Sequence, residues 1–118
     1  MTHVVTARCL DCRYTDCTEV CPVECFHKID DPAMLVIDPG TCIDCQLCVA
    51  ECPVHAIYAD TEVPAHYEEW TAFNEQLQAL GPTLTKKEDA LPGALTLEQV
   101  HERERTAGWE PVEPADAP

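Results

Sequence analysis

The sequence predicts an α+β fold. It comprises a pseudo-twofold β-α-β-β-α-β core over residues 1–61, a helical extension packed on it over 62–107, and an acidic tail over 108–118, all in one structural domain. Three observations predict this. All nine Cys of the 118 residues lie between positions 9 and 52, and they recur as two similar motifs. Short β-branched or apolar runs flank each motif. Beyond residue 62 the apolar residues change to a helical period.

His3–Ala7 is short and β-branched and reads as the first strand. Cys25–Ile29 and Ala33–Asp38 are two strands joined by the turn-forming cluster Asp30-Asp31-Pro32, and Ala56–Thr61 closes the core. Short helices are expected near Asp16–Cys21 and Leu47–Cys52, each stopped by a Pro. The repeat underlies the pseudo-symmetry: Val20-Cys21-Pro22-Val23-Glu24-Cys25-Phe26 aligns with Glu51-Cys52-Pro53-Val54-His55-Ala56-Ile57. A unit this short cannot bury a face alone, so the two copies pack together.

In the extension, Val63, Tyr67, Trp70, Phe73, Leu77 and Leu80 mark one face of an α-helix, with Pro64 in its first turn and Gly81-Pro82 at its end. A second helix is expected over Leu97–Ala107. Thr96 caps it, Gln99 completes a capping box and Gly108 stops it. Beyond Trp109 the Pro- and acid-rich sequence reads as extended or disordered.

Composition excludes several function classes. No apolar run approaches the ~20 residues of a membrane span, and the N-terminus lacks the pattern of a secretory signal, so a cytoplasmic protein is expected. There, Cys-rich chains bind metal or do redox chemistry rather than form disulfide frameworks. Acidic residues outnumber basic ones 22 to 7, for a formal charge of −15. That disfavours nucleic acid and anionic membranes and favours a basic patch on another protein. Only 27 residues are Val, Ile, Leu, Phe or Met. This is thin for an unaided core, so something besides apolar burial supports the fold.

The second motif, Cys42-x2-Cys45-x2-Cys48-x3-Cys52-Pro53, suits an iron–sulfur cube. Two-residue spacers let three thiolates wrap one cube, and the fourth Cys, before Pro, ligates the other cluster in two-cluster proteins. Ligation then contributes folding energy. The first motif reads Cys9-x2-Cys12-x4-Cys17-x3-Cys21-Pro22. Its longer spacer leaves two outcomes open. Either Cys12 is carried away and the cluster is [3Fe–4S], or Cys12 swings in and completes a second [4Fe–4S] cube. Structural zinc would not need a third Cys at x2 and a fourth at x3-Pro, twice over. A Rieske centre would need two His in place of two Cys, and both motifs keep all four Cys.

On both motifs, together with Tyr14-Thr15-Asp16-Cys17, Cys42-Ile43-Asp44-Cys45 and Lys86-Lys87-Glu88-Asp89, the chain resembles the bacterial seven-iron ferredoxins with a long C-terminal extension. The resemblance spans residues 2–92 and implies a [3Fe–4S] cluster held by Cys9, Cys17 and Cys52. It also implies a [4Fe–4S] cluster held by Cys21, Cys42, Cys45 and Cys48, with Cys12 and Cys25 as free thiols. The Cys25–Cys42 gap is longer than the family's by about two residues, which lengthens the hairpin. Nothing is carried over after Pro92.

By its repeat position opposite Ala56, Cys25 reads as a small buried hydrophobe, with a ligand swap under oxidation as the sharper alternative. Asp16 reads either as a solvated or capping acid or, by the resemblance, as the carboxyl that couples protons to reduction of the [3Fe–4S] cluster, with Lys87 as its matching pair. The latter requires Asp16→Asn to flatten the pH dependence of that cluster's potential. The five His are scattered, so packing or surface roles are expected for all of them. Tyr67, Trp70 and Phe73 are expected to cover the core and limit water near the clusters.

The sequence contains no nucleophile–base pair, phosphate loop or substrate-pocket signature, so an enzyme is not expected. The expected function is a soluble, monomeric, low-potential electron carrier between partners with basic docking patches, such as a ferredoxin reductase and an acceptor oxidoreductase. Two alternatives are an iron–sulfur subunit of a larger redox complex and a sensor of oxidative stress.

Overall fold

The computed structural model describes residues 2–10, 12–30, 33–43, 47–84, 86 and 88–114. Four strands form two antiparallel pairs. Strand β1 (His3–Val5) pairs with β4 (Ile57–Ala59) in the register Val4 to Tyr58. Strand β2 (Phe26–Asp30) pairs with β3 (Ala33–Ile37) in the register Lys28 to Leu35. Each strand lies within its expected run, apart from Asp30, which extends β2 into the expected turn. The ends are trimmed elsewhere, although Thr6 prolongs the first pairing through its N–H to the carbonyl of Ala56 at 2.8 Å. Asp31 and Pro32 of the predicted turn lie outside the described residues.

The two short helices differ in kind. Helix α1 (Leu47–Glu51) is α-helical, but Asp16–Val20 is a 3₁₀ helix. Thr18 Oγ1 donates to the carbonyl of Thr15, and the run stops at Cys21-Pro22 before a second α-turn fits. The two segments pack on each other.

The repeat is visible in the backbone. Glu24 and His55 occupy equivalent positions after their Cys-Pro pairs, and both take left-handed φ values, 53° and 50°. Each turn then brings the next N–H back to the leading sulfur: Cys25 N to Cys21 Sγ at 3.4 Å, and Ala56 N to Cys52 Sγ at 3.3 Å. A left-handed residue with a side chain costs about 1–2 kcal/mol. Here it recurs twice and aims a donor at a sulfur each time.

The extension is more broken than its period suggests. A 3₁₀ turn (Ala65–Tyr67) leads to helix α2 (Trp70–Leu77), and a further 3₁₀ turn (Gln78–Leu80) follows it. Tyr67 and Trp70 are buried, but Phe73 and Leu80 are exposed, because the buried stripe runs from Trp70 to Asn74. Asn74 is buried and joins the two sheets. Its Oδ1 accepts from Val5 N and Ile37 N, each at 3.0 Å, and its Nδ2 donates to the carbonyl of Val5 at 2.8 Å. Segment 82–84 then lines up along β2, with Lys28 N to Pro82 O and Leu84 N to Phe26 O, both at 2.9 Å. Gly81 makes this approach possible, since a Cβ there would lie 2.0 Å from the carbonyl oxygen of Lys28.

Helix α3 (Leu97–Thr106) carries the expected capping box, with Gln99 N donating to Thr96 Oγ1 and Thr96 N to Gln99 Oε1. Gly108, at φ +88°, follows it. Residues 109–114 have irregular backbone and are mostly exposed, but Val112 and Glu113 tie them to the core. Arg8, fully buried, makes a two-pronged pair with the buried Glu104 (2.9 and 2.8 Å) and also reaches Glu113 and the carbonyl of Val112. His55 Nδ1 and His101 Nε2 bond the two oxygens of Glu113. Tyr67 donates its hydroxyl to Glu104. Residues 115–118 lie outside the described set. Among the described residues no helix is long and apolar enough to cross a membrane.

Candidate metal centres

Two groups of cysteines line the interior. The first contains Cys9, Cys17 and Cys52, all buried within the core cluster. Cys9 sits on the short 3₁₀ turn Ala7–Cys9, Cys17 on Asp16–Val20, and Cys52 directly after α1, so three separate segments deliver the three sulfurs. Cys9 Sγ accepts Leu35 N–H at 3.5 Å, and Cys52 Sγ accepts Ala56 N–H. Burial pushes all three thiols up, Cys9 to about 12, and the neighbouring sulfurs add to the rise at Cys9 and Cys17. At Cys52, backbone N–H groups oppose the effect of burial, and the charge of Asp16 adds to it.

Cys12 is buried beside this group but is held differently. Its Sγ accepts Leu95 N–H at 3.4 Å, and its carbonyl accepts Leu91 N–H at 2.9 Å. Tyr14 donates its hydroxyl to the carbonyl of Leu95, and Thr15 Oγ1 exchanges hydrogen bonds with Glu88, donating to its carbonyl and accepting from its N–H, both at 2.6 Å. Segment 88–95 therefore lies over the first cysteine loop. Asp16 is in that loop, next to Thr15 and within electrostatic reach of Cys52.

The second group lines one cavity with Cys21, Cys25, Cys42 and Cys48, beside His3 and Ile43. Cys25 Sγ is 3.3 Å from Cys21 Sγ. The Cys42 thiol is held down to about 3, chiefly by a hydrogen bond from Cys25. Burial opposes this, and the His3 side chain, the Thr2 side chain and the His3 backbone add to it. Cys25 moves the other way. Its hydrogen bond to Cys42, burial and the contact with Cys21 keep it protonated. Cys42 is therefore a ready thiolate, while Cys25 acts as a proton-bearing donor to it. Cys17 also responds to the charge of Cys48, which brings the two groups within electrostatic reach of each other. Cys45 and Lys87 lie outside the described residues.

The donor set fits iron–sulfur clusters. Buried thiols with raised pKa stay protonated unless a cation replaces the protons, and a metal-bound thiolate takes N–H donors of the kind Cys9, Cys21 and Cys52 receive. Among the described residues no three His, Cys, Asp or Glu side chains converge as a single metal ion would need. A cluster held at its corners does not ask its thiolates to converge on one point.

Some of the surroundings were not anticipated from sequence. His3 was expected to have a generic packing or surface role, and it is buried against Cys42. His55 and His101 looked scattered, yet both reach Glu113. Arg8, Asn74 and Glu104 had no assigned role. Asn74 could have been found, because its spacing of four from Trp70 and three to Leu77 places it on the helical stripe.

Comparison with known proteins agrees with this chemistry. The profile of a family described as a 4Fe-4S binding domain matches residues 35–58. A protein named Ferredoxin-1 from Caulobacter vibrioides is 45% identical over 87 residues, covering 74% of this chain and 74% of the relative. A protein named Ferredoxin from Rickettsia felis is 44% identical over 95 residues, covering 80% of this chain and 84% of the relative.

Proposed function

The chain belongs to the ferredoxin family and is an iron–sulfur electron carrier rather than an enzyme; from that premise we propose that it relays single electrons through one [3Fe–4S] cluster, held by Cys9, Cys17 and Cys52, and one [4Fe–4S] cluster, held by Cys21, Cys42, Cys45 and Cys48, in a pseudo-twofold core. The clusters supply reversible one-electron chemistry. The protein supplies ligands, N–H donors and exclusion of water.

The observation that carries the cluster split is the contrast among buried sulfurs. Cys9 and Cys52 take core N–H groups, and each raises the pKa of Cys17, while Cys12 is held by Leu91 and Leu95 of the extension. This arrangement supports three ligands at the first site. Anaerobic purification with iron and sulfide counting, plus EPR of the oxidised protein, tests it. Seven irons and a paramagnetic oxidised signal are expected. Eight irons and a silent oxidised state would make Cys12 a ligand.

The proposed partner is a cytoplasmic redox protein, a reductase or an acceptor, whose docking face is basic around an apolar spot. Ile43 and Leu47 are 58% and 55% exposed beside Cys42 and Cys48, on a chain of net charge −15. Such a pair associates by electrostatic steering, which salt screens. The second-order rate of electron transfer is expected to fall at least about tenfold between low and high ionic strength, and a flat salt profile would overturn this.

A sensor role rests on one further observation. The thiol of Cys25 lies 3.3 Å from the Cys21 sulfur, close enough to replace it as a ligand. In that case mild oxidation changes the cluster reversibly, and Cys25→Ala abolishes the change.

A further inference from the structure

Cys12 is 1% exposed, and it is held from two sides. One side is its own loop. Cys12 N and Arg13 N both donate to the carbonyl of Cys9, at 3.1 and 3.0 Å, and Arg13 takes a left-handed φ of 44°. The Arg13 guanidinium is tied to the end of β2 through the Ile29 carbonyl and Asp30. The other side is segment 88–95 of the extension. Leu91-Pro92-Gly93-Ala94 is a turn closed by Ala94 N to Leu91 O at 3.1 Å, with Gly93 at φ +82°, the sign that a Pro-Gly turn needs at its third position. This turn sets two amides, four residues apart, on one residue: Leu91 N–H meets the Cys12 carbonyl at 2.9 Å, and Leu95 N–H meets its sulfur at 3.4 Å. The ends of the segment are fastened in turn. Tyr14 bonds Leu95, Thr15 bonds the Glu88 backbone twice, and Lys28 pairs with the Glu88 carboxylate at 3.0 Å.

We propose that segment 88–95 is a lock that sets how many irons the first cluster holds: it keeps the Cys12 sulfur on Leu95 N–H and so denies a fourth iron its ligand. The inference rests on reading Cys9, Cys17 and Cys52 as the three ligands. The backbone of Cys12 cannot follow an incoming iron, because the Cys9 carbonyl and Leu91 N–H hold it. Only the side chain can turn, and turning leaves Leu95 N–H without an acceptor beside a buried residue, which is costly. The spacing of the first motif leaves Cys12 open to either outcome, and the extension, which contains no Cys of its own, decides between them. The reaction held back takes a [3Fe–4S] cluster already reduced by one electron and adds one ferrous ion. That iron bonds to cluster sulfides and to Cys12 Sγ, the S–H bond breaks, and its proton goes to solvent, while the three existing ligands stay in place. The product holds two ferric and two ferrous irons, the same electron count as the reactants.

The test uses cluster-loaded, full-length protein, reduced anaerobically with dithionite and given excess ferrous ion. Leu95→Pro removes the N–H that Cys12 accepts, while Leu95→Ala keeps it and loses the same side chain. The double variant Tyr14→Phe, Thr15→Val removes the three hydrogen bonds to Leu95 and Glu88 without touching a cysteine, and it decides the matter if Leu95→Pro does not assemble. The parent and Leu95→Ala should keep seven irons and, on reoxidation, the [3Fe–4S] EPR signal. Leu95→Pro and the double variant should gain an eighth iron and lose that signal at least about tenfold faster. Adding Cys12→Ala to either should abolish the gain. A second readout needs no added iron. In mass-spectrometric mapping of iodoacetamide alkylation, Cys12 should label at least about tenfold faster in the two loosened variants than in the parent, and it should be protected again once the eighth iron is bound. Conversion at the parent's rate in assembled, loosened variants overturns the proposal, however Cys12 labels, and so does equal conversion in Leu95→Ala and Leu95→Pro. A parent that already holds eight irons with Cys12 protected fails the three-ligand reading and this inference with it. A seven-iron parent whose loosened variants convert no faster fails the inference alone.

Discussion

Asn74 and Val5 hold each other at both ends of one peptide position: Val5 N donates to Asn74 Oδ1 at 3.0 Å, and Asn74 Nδ2 donates to Val5 O at 2.8 Å. Because the same Oδ1 also accepts from Ile37 N, a single buried amide ties β1 to β3 and α2 to both.

Replacing that amide is expected to be costly. Asn74→Leu keeps an apolar volume but leaves the buried N–H groups of Val5 and Ile37 without their acceptor, at about 1–3 kcal/mol each. The loss should appear as faster bleaching of the clusters' visible absorption on heating, since both sheets border the cysteine groups. A bleaching rate equal to the parent's would mean that the two N–H groups find other acceptors.

Gly81→Ala tests how the extension docks. The added Cβ meets the carbonyl oxygen of Lys28 at 2.0 Å and Ile29 Cδ1 at 2.8 Å. The Lys28 contact is with backbone, which cannot rotate away as the end of the Ile29 side chain can, so segment 82–84 must leave β2, at about 1–3 kcal/mol. Amide exchange at Lys28 and Leu84 should rise together in this variant. Unchanged protection at both would show that the strand pair can shift to make room.

The Arg8 cluster predicts a dependence on acid. Burial pushes the carboxyls of Glu104 and Glu113 up, but Arg8, with Tyr67 at Glu104 and the two His at Glu113, outweighs it and holds both below the ordinary value. The stability they contribute is therefore complete above the unfolded glutamate pKa of about 4.3 and is lost as pH falls through the lower folded values. The amides of Gly108 and Trp109, which donate to the carbonyls of Arg105 and Glu104, should be protected from hydrogen exchange at neutral pH and lose protection below about pH 4. Glu113→Gln should lack much of that protection already at neutral pH. Identical exchange in parent and variant at neutral pH would remove Glu113 from the account.

Chelating the iron under reducing conditions should unfold the core rather than empty it. Cys9, Cys17 and Cys52 contribute buried sulfur to the main core cluster, and the remaining apolar residues are few for 118 positions. Ligation free energy is folding free energy in such cases. Circular dichroism of the chelated protein should show loss of the native spectrum, with recovery on anaerobic reconstitution. A native spectrum without iron would show that the apolar core suffices.

Local chemistry carried much of this architecture into the sequence. The Cys-Pro repeat reappears as two equivalent turns at Glu24 and His55, because its spacing and its proline constrain the backbone directly. Thr96 and Gln99 foretold the start of α3 because a capping box is a contact between near neighbours. Arg8 was illegible for the opposite reason. Its carboxylate partners come 96 and 105 positions later, and an isolated charge has no periodicity to reveal that it is buried. The break in the long helical stripe was hidden because Phe73 and Leu80 fit the period while Asn74, a polar residue, takes the buried place. His3 was hidden likewise, since a lone His on a strand carries no ligand spacing.

The clasp around Arg8 also sets an order of events. The two carboxylate partners of that guanidinium come 96 and 105 positions after it, and contacts closing so long a loop form late. The two cysteine motifs, by contrast, are complete by Cys52. The ligands are therefore all present in a chain that has not yet closed residues 104–113 over Arg8.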